Sequence, residues 1–345
     1  MSNVKSPVKS DKSPWWWHPA LPIEDSPLFT WPPRLLAAVN AVLGKGFLWS
    51  PQMLYVGLSF LTWIHFGRDL ERCVEFQFGW IAELYAFNLI STIVIAGGLH
   101  CYLYTFKRQG MEQRMDASEQ GRNNPRFFTG HQVWDNIFYT CVSGVTIWTA
   151  YTVVFMWAYA NNLIPWLAWS NSPLGVVWFL ALFPLLVLWQ SVHFYFGHRL
   201  LHSKFCYRRW HEQHHRNVNT GPWSGFSMHP VEHVIYFSSI LIHLLIATHP
   251  VHMLFHMYYN ALDAVTSHSG YGDLLIKGKG VVRLGSFYHQ LHHRYFDCNY
   301  GASFLPLDKF FGSFHDGTAE ATARVRAYQR RKRGGKNSQT PVENS

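Results

Sequence analysis

Four stretches of the sequence are apolar and free of charged side chains over about 20 residues, the length that a helix needs to cross a lipid bilayer. They cover residues 47–66, 84–106, 137–160 and 174–196. A fifth apolar stretch, 234–262, is interrupted by His249 and Pro250, and each half is too short to cross. This stretch predicts a re-entrant hairpin that enters the bilayer and returns to the same side. The pattern predicts an all-α integral membrane protein with about four transmembrane helices.

The composition supports this fold class. Hydrophobic residues make up 48% of the chain and charged residues only 14%, whereas soluble proteins carry about 25% charged residues. The net charge of +9 would suggest nucleic-acid binding in a soluble chain. Here the cations lie in loops next to apolar stretches, where they set membrane topology, so no nucleic-acid partner is expected. The five cysteines form no Cys-x-x-Cys pair, so no disulfide framework or zinc ribbon is expected.

The charges of the connecting loops predict the orientation. The loop between the second and third stretches contains Lys107, Arg108, Arg114, Arg122 and Arg126, whereas the linker at 67–83 is rich in acidic residues and the loop at 161–173 is uncharged. Cytoplasmic loops carry an excess of Lys and Arg. We therefore expect the N-terminus, the 107–126 loop and the end of the fourth span on the cytosolic side.

Three regions are expected along the chain. Residues 1–46 form a partly disordered cytosolic arm, in which the three tryptophans at 15–17 either rest at the lipid headgroups or belong to a solvated tail. Residues 47–318 form the membrane-embedded domain. Residues 319–345 contain the run Arg330-Arg331-Lys332-Arg333 and are expected to form a basic, disordered cytosolic tail.

Histidines form three clusters after the fourth span. Their members are His198 and His202; His211, His214 and His215; and His289, His292 and His293. Positions i, i+3 and i+4 share one helix face, so each cluster can aim its imidazoles at one point. Neutral imidazole binds Fe, Zn, Cu and Ni. Eight imidazoles exceed the three or four protein ligands of a typical zinc site, so two ions are expected.

Other chemistry fits these motifs less well. His211-Glu212-x-x-His215 matches the zinc metalloprotease motif, but the later cluster has Gln290 where the glutamate would stand. A carboxylate-bridged di-iron bundle needs two Glu-x-x-His motifs, and only Glu212-x-x-His215 is present. Structural zinc needs about four ligands. A metal-free membrane scaffold is the non-enzyme hypothesis. An oxygen-activating pair of iron ions, acting on a lipid C–H bond, is favoured because iron is redox-active and zinc is not.

The histidine pattern and several later segments resemble the fatty acid hydroxylase/sterol desaturase superfamily of membrane di-iron enzymes over about residues 130–316. The later segments are His229-Pro-Val-Glu232, His268-Ser-Gly, Asn299-Tyr-Gly and Leu307-Asp-Lys-Phe-Phe-Gly-Ser313, of which Leu307 and Ser313 depart from the family pattern. The resemblance implies that the eight clustered histidines bind two iron ions in a cytosolic helical cap. His268 would be a ninth ligand, and His229 a further ligand or a hydrogen-bond partner of one. Asp297, Asn299 and Asp308 would orient imidazoles.

The resemblance also implies the reaction and its partners. Dioxygen would be the oxidant, a cytochrome b5 or a ferredoxin the electron donor, and hydroxylation or desaturation of a lipid the outcome. The sterol-branch segments favour a sterol or similar polycyclic lipid, with a fatty acyl chain or sphingoid base as the alternative. The enzyme would lie in the endoplasmic reticulum of a eukaryote or the inner membrane of a bacterium.

Overall fold

The computed structural model describes residues 15–24, 26–167, 170–303 and 305–334. These residues form eleven helices, one two-stranded sheet and short 3-10 turns. The helices are α1 Leu35–Leu48, α2 Gln52–Phe66, α3 Phe78–Thr105, α4 Gln132–Ala160, α5 Pro173–Leu201, α6 over 204–215, α7 Pro230–Phe237, α8 Pro250–Ser267, α9 Phe287–Tyr295, α10 Leu307–Phe310 and α11 Ala319–Gly334. The 3-10 turns are Pro27–Phe29, Gly67–Cys73 and Ser238–Leu244, and the strands are β1 Asp273–Ile276 and β2 Lys279–Arg283.

Three helices of the described residues, α3, α4 and α5, are long and apolar enough to cross a membrane. They contain most of the second, third and fourth predicted spans, but α4 and α5 extend further, into polar sequence. The extra turns of α4 hold Gln132 and Asn136, whose side chains donate hydrogen bonds to Asn217 Oδ1. The extra turns of α5 hold the first histidine cluster, so the helix continues beyond its apolar stretch.

The first predicted span, 47–66, is not one helix. Helix α1 ends at Leu48, and α2 begins after Pro51, whose ring nitrogen has no hydrogen to donate. Helix α2 has 15 residues, or about 22 Å at 1.5 Å per residue, which is short of the bilayer core of about 30 Å. Helix α2 therefore does not meet the length of a membrane span.

The predicted hairpin is the centre of the bundle. It consists of α7, a 3-10 turn and α8, which are joined through His249, and all but two of the 18 residues of α8 are buried. The Tyr55 hydroxyl of α2 lies 3.0 Å from Oγ1 of Thr266, and Oγ1 of Thr62 lies 2.8 Å from the Tyr258 hydroxyl, so α2 and α8 are antiparallel. Protein surrounds α8, whereas Leu241, Leu244 and Leu245 in the segment before it are exposed.

The two ends of the bundle carry different loops. At one end the acidic linker meets the uncharged loop, because Asn161 Nδ2 donates to the Val74 carbonyl and Phe76 stacks on Trp157. At the other end the basic loop meets the histidine region, because Asn219 Nδ2 donates to the Glu119 carbonyl at 2.8 Å. We call this second end the histidine end. The basic loop and the histidines thus lie on the same side, as the charge pattern predicts.

Two terminal segments differ from the sequence prediction. The Trp15 side chain is only 8% exposed and packs edge-on against Phe287 at 5.0 Å, so it is part of the folded protein and not of a solvated tail. The segment predicted as a disordered tail forms α11 as far as Gly334. Ala321 and Val325, one helical turn apart, bury one stripe of α11 on the protein. Residues 1–14 and 335–345 lie outside the described residues.

The β1–β2 hairpin is also absent from the all-α prediction. Its two-residue turn consists of Lys277 and Gly278, with φ of +51° and +73°. Positive φ at both central residues is characteristic of the tight turns that match strand twist. The signal for this hairpin was the Lys-Gly pair between the apolar residues at 274–276 and those at 281–282.

Candidate metal centre

Nine histidines from four segments converge at the histidine end. His198 lies in the last turn of α5 and His202 directly follows the helix, α6 carries the second cluster, and α9 carries the third. His268 follows directly after α8. Each segment is a helix or the end of one, so the backbone holds every imidazole in a fixed direction.

The nine imidazoles divide into two groups. Within each group the potential ligand atoms all lie within 4.8 Å of one another. The group of five contains His198, His202, His211, His215 and His292, and the group of four contains His214, His268, His289 and His293. Neither group includes a carboxylate or thiolate among the residues that the structure describes.

Each His-x-x-His-His motif serves both groups. In α6, His211 and His215 belong to the group of five, and His214 to the group of four. In α9 the assignment is reversed, because His292 alone joins the group of five. Residues i and i+4 point close together, whereas i+3 is rotated by about 100° from i+4 at 3.6 residues per turn. The expectation that each cluster aims at one point therefore holds for His198 and His202 but is wrong for the two His-x-x-His-His motifs, each of which links the two groups.

Hydrogen bonds fix the orientation of the rings. Nδ1 of His198 lies 2.6 Å from the Tyr300 carbonyl oxygen, and Nδ1 of His211 lies 2.7 Å from Oε1 of Glu232. The backbone carbonyl oxygen and the ionised form of Glu232 only accept, so each of these two neutral rings carries its one proton at Nδ1. The two Nε2 atoms, 3.0 Å apart, then each carry a lone pair and no hydrogen. Facing lone pairs repel one another, and a cation between them removes the repulsion.

The group of four follows the same rule. Nδ1 of His268 donates to the Ala264 carbonyl at 2.8 Å, and its Nε2 lies 3.0 Å from Nε2 of both His289 and His293. In the group of five, Nδ1 of His292 donates to the Cys298 carbonyl at 2.6 Å. Backbone carbonyls thus turn Nε2 of these rings inward, which is the arrangement of metal-binding histidines.

The spacing of the nitrogens fits metal ions with more than four ligands. Neighbouring Nε2 atoms lie 3.0 to 3.2 Å apart in both groups. Two nitrogens bound at about 2.1 Å lie about 3.0 Å apart at a right angle and about 3.4 Å apart at a tetrahedral angle. The observed distances are nearer to the right-angle value. The residues present therefore fit a pair of transition-metal ions.

Burial keeps these imidazoles neutral. It lowers the pKa of His211 to about 3 and the pKa of His214 to about 4, because the charged form is poorly solvated inside the protein. The neutral ring is the form that binds a metal. Burial also raises the pKa of Glu232 to about 8, so its carboxylate is poorly stabilised unless a cation lies nearby.

Sequence reasoning missed several supporting residues. Glu232 was identified only as part of a segment, not as the partner of His211. Gly225 lies directly under His268, and a β-carbon there would collide with the Ala264 carbonyl oxygen and lie 2.6 Å from His268 Nδ1. The main-chain carbonyls that accept hydrogen bonds from Nδ1 could not be predicted, because every residue type has a backbone carbonyl. The signal for Glu232 was its place in the His-Pro-Val-Glu segment.

The three residues expected to orient imidazoles differ from one another in what they contact. Asp308 accepts a hydrogen bond from the Tyr300 backbone N–H at 2.8 Å, and Tyr300 in turn orients His198. Asn299 holds the backbone of Tyr288 and His315. Asp297 pairs with Lys332 of α11 instead.

His229 belongs to neither group. Its Nδ1 accepts a hydrogen bond from the Val231 backbone N–H at 3.2 Å, which caps the N-terminus of α7. An Nδ1 that accepts this bond must carry its proton on Nε2, which is then unable to act as a ligand. We therefore leave His229 out of the ligand set.

Comparison with known proteins relates the histidine-containing segment to one family. Residues 183–313 match the model of the fatty acid hydroxylase family. The Delta(7)-sterol 5(6)-desaturase ERG3B of Gibberella zeae is 28% identical over 131 residues, 37% of this chain and 40% of that protein. The methylsterol monooxygenase 1 of Gallus gallus is 29% identical over 148 residues, 42% of this chain and 46% of that protein. The chain thus spans less than half the length of these two sterol enzymes.

A longer alignment exists with a plant protein. The very-long-chain aldehyde decarbonylase GL1-11 of Oryza sativa subsp. indica is 25% identical over 247 residues, 70% of this chain and 88% of that protein. No solved structure matches the chain. The matched segment 183–313 contains all nine convergent histidines. This segment is therefore similar to the fatty acid hydroxylase family, and the relatives that align with the chain include a sterol desaturase and a methylsterol monooxygenase.

Proposed function

We propose that the chain is a membrane-bound di-iron oxidoreductase that uses dioxygen to hydroxylate or desaturate a C–H bond of a lipid. The observation that carries this proposal is the pair of imidazole groups, of five and four, with Nε2 lone pairs directed inward. The groups lie at one end of an apolar helical bundle. A redox metal centre beside a membrane is suited to a lipid substrate.

The side chains of this protein prepare the site. Glu232 orients the ring of His211, and backbone carbonyls orient the rings of His198, His268 and His292, so these lone pairs keep their direction without any rearrangement. Burial keeps the rings neutral. Two bound iron ions would supply the activation of dioxygen and the oxidising power that side chains lack.

A sterol or a similar polycyclic lipid is the substrate class that we propose. Its support is the similarity to the sterol desaturase and to the methylsterol monooxygenase. A fatty acyl chain or a sphingoid base is the second candidate. Its support is the rice relative named for very-long-chain aldehydes, whose alignment covers 70% of this chain.

A zinc protease fits the site less well. In that mechanism the glutamate of His211-Glu212-x-x-His215 would be the general base, next to the metal. Here Glu212 is exposed, and three further imidazoles crowd around His211 and His215. A carboxylate-bridged pair of ions is also disfavoured, because no carboxylate joins either group in the described part of the chain.

We further propose that the centre faces the cytosol, in the endoplasmic reticulum of a eukaryote or the inner membrane of a bacterium. The support is that the histidines and the basic 107–126 loop lie at the same end of the bundle. The electron donor would be a cytochrome b5 or a ferredoxin.

The test is a product assay with the purified protein loaded with ferrous iron. Lipids of each class are supplied with dioxygen and a reductant, and products are identified by mass spectrometry. A gain of one oxygen atom indicates hydroxylation, and a loss of two hydrogen atoms indicates desaturation. The His292→Ala variant should lose activity, and the His65→Ala control, altered at the exposed opposite end, should retain it. Oxidation of no lipid by protein that holds iron would refute the proposal.

A further inference from the structure

An open cleft of about 510 Å³ reaches the metal centre from the side of the loops. It is formed by the loop at 125–128, by the end of α6 and by Phe296. Of the nine convergent histidines, His215 is the one that lines this cleft, and its ring belongs to the group of five. The cleft therefore connects the surface with one imidazole of the centre.

Phe296 covers His215 and has an unusual backbone. Its φ and ψ are +66° and −50°, and the Asp297 backbone N–H donates to the Tyr295 carbonyl at 2.8 Å. This three-residue γ-turn is rare and strained for any residue with a side chain. The result is that the Phe296 ring lies 5.0 Å from the ring of His215. Strain of this kind is concentrated at functional sites.

The surface around the cleft is basic. Arg126 and Arg216 line it, against the single carboxylate of Glu212. Helix α6 presents further exposed cations at Lys204 and at 208–209. The acidic linker lies at the opposite end of the bundle. A partner with negative charge would be attracted to the cleft and repelled from the opposite end.

The proposed reaction requires an external reductant. Hydroxylation combines a C–H bond, dioxygen, two electrons and two protons to give an alcohol and water. The C–H bond supplies two of the four electrons that reduce dioxygen, so a reductant must supply the other two. The chain offers no redox group of this kind apart from the proposed metal centre among its described residues.

We propose that this cleft is the docking site of an acidic, one-electron redox protein, which delivers electrons one at a time through Phe296 and His215. This inference rests on the proposed function and adds the place and the charge of the partner. Charge complementarity identifies the partner as an acidic protein. A lipid is not expected there, because charged side chains line the cleft and it faces the loops of the histidine end.

The test measures how fast the iron-loaded protein in detergent is reduced. The soluble domain of cytochrome b5 or a ferredoxin is mixed with it in a stopped-flow instrument, and dithionite is used in parallel. The variants are Arg126→Glu and Arg126→Gln, because Arg126 is exposed and lies outside the metal-binding segments. Arg331→Glu, at an exposed position on α11, is the matched control.

We expect Arg126→Glu to slow reduction by the protein donor about tenfold at low salt, and Arg126→Gln to have an intermediate effect. Reduction by dithionite and the iron content should stay unchanged. Salt should slow the wild type much more than Arg126→Glu. Equal rates for Arg126→Glu and the wild type would overturn the proposal, as would failure of both carriers to reduce a protein that dithionite reduces. A raised KM for lipid with an unchanged rate of reduction would assign the cleft to the substrate and likewise overturn it. Protein that retains no iron would instead refute the proposed function itself.

Discussion

The pair formed by His211 and Glu232 gives a sharp test of how the site binds metal. Oε1 of Glu232 lies 2.7 Å from Nδ1 of His211, and the residues are 2% and 1% exposed. The Glu232→Gln substitution keeps the shape and one accepting oxygen but removes the charge. A carboxylate in this position makes the imidazole a better ligand than a neutral acceptor does.

The expected magnitude follows from this geometry. Loss of such a partner typically lowers metal affinity about 10- to 100-fold, which corresponds to about 1.4 to 2.8 kcal/mol. The metal-free protein should not lose stability. The second carboxylate oxygen of Glu232 is buried without a hydrogen-bond partner among the described residues, and burial raises the pKa of this group. The negative charge is therefore unfavourable until a cation binds.

The assay compares iron affinity with stability. Ferrous iron is titrated against a coloured chelator, and thermal unfolding is followed without metal. The control is Glu83→Gln, which changes an exposed carboxylate that also contacts a histidine, His65, at 3.2 Å. Unchanged iron affinity in Glu232→Gln would refute the reasoning. An equal loss of metal-free stability would show that Glu232 acts only as a structural residue.

Three further predictions concern the surroundings of the site and the opposite end. Burial raises the pKa of Cys73 to about 11, so at pH 8 iodoacetamide should alkylate it about 100-fold more slowly than in unfolded protein, as measured by mass spectrometry. Burial lowers the pKa of His315 to about 4 from 6.5, so as the pH falls His315 is protonated in the unfolded chain before it is protonated in the folded protein. The hydrogen-exchange protection of α11 should therefore fall as the pH drops from 6.5 towards 4, but not in His315→Gln. Asp308 accepts hydrogen bonds from Tyr288, Ser313 and two backbone N–H groups, so Asp308→Ala should lower the free energy of unfolding by about 3 kcal/mol or more, and Asp308→Asn by less; chemical denaturation measures both.

The three long helices could be predicted from the sequence because bilayer thickness sets the length of a membrane span. The three long helices follow the predicted stretches 84–106, 137–160 and 174–196. The prediction of a single span at 47–66 was wrong, because apolar composition does not show that Pro51 separates two helices. The β1–β2 hairpin could have been predicted from the Lys277-Gly278 turn, but it was missed.

The eight clustered histidines could be predicted from the sequence because their spacing repeats. Their division into two groups could not be predicted. Residues i+3 and i+4 lie on the same broad face, and only the packing of α6 against α9 decides which group each ring joins. His268 was found through family resemblance, not through spacing. The roles of the Tyr300 and Cys298 carbonyls were hidden, because every residue has the same backbone atoms.

The central claim is tested most directly by the metal content of the detergent-purified protein, measured by elemental mass spectrometry. The wild type should hold about two irons per chain, in line with a two-metal oxidoreductase. His268→Ala, altered in the group of four, should fall towards one iron, and His65→Ala should remain at the wild-type value. A single zinc per chain, unaffected by His268→Ala, would contradict the account.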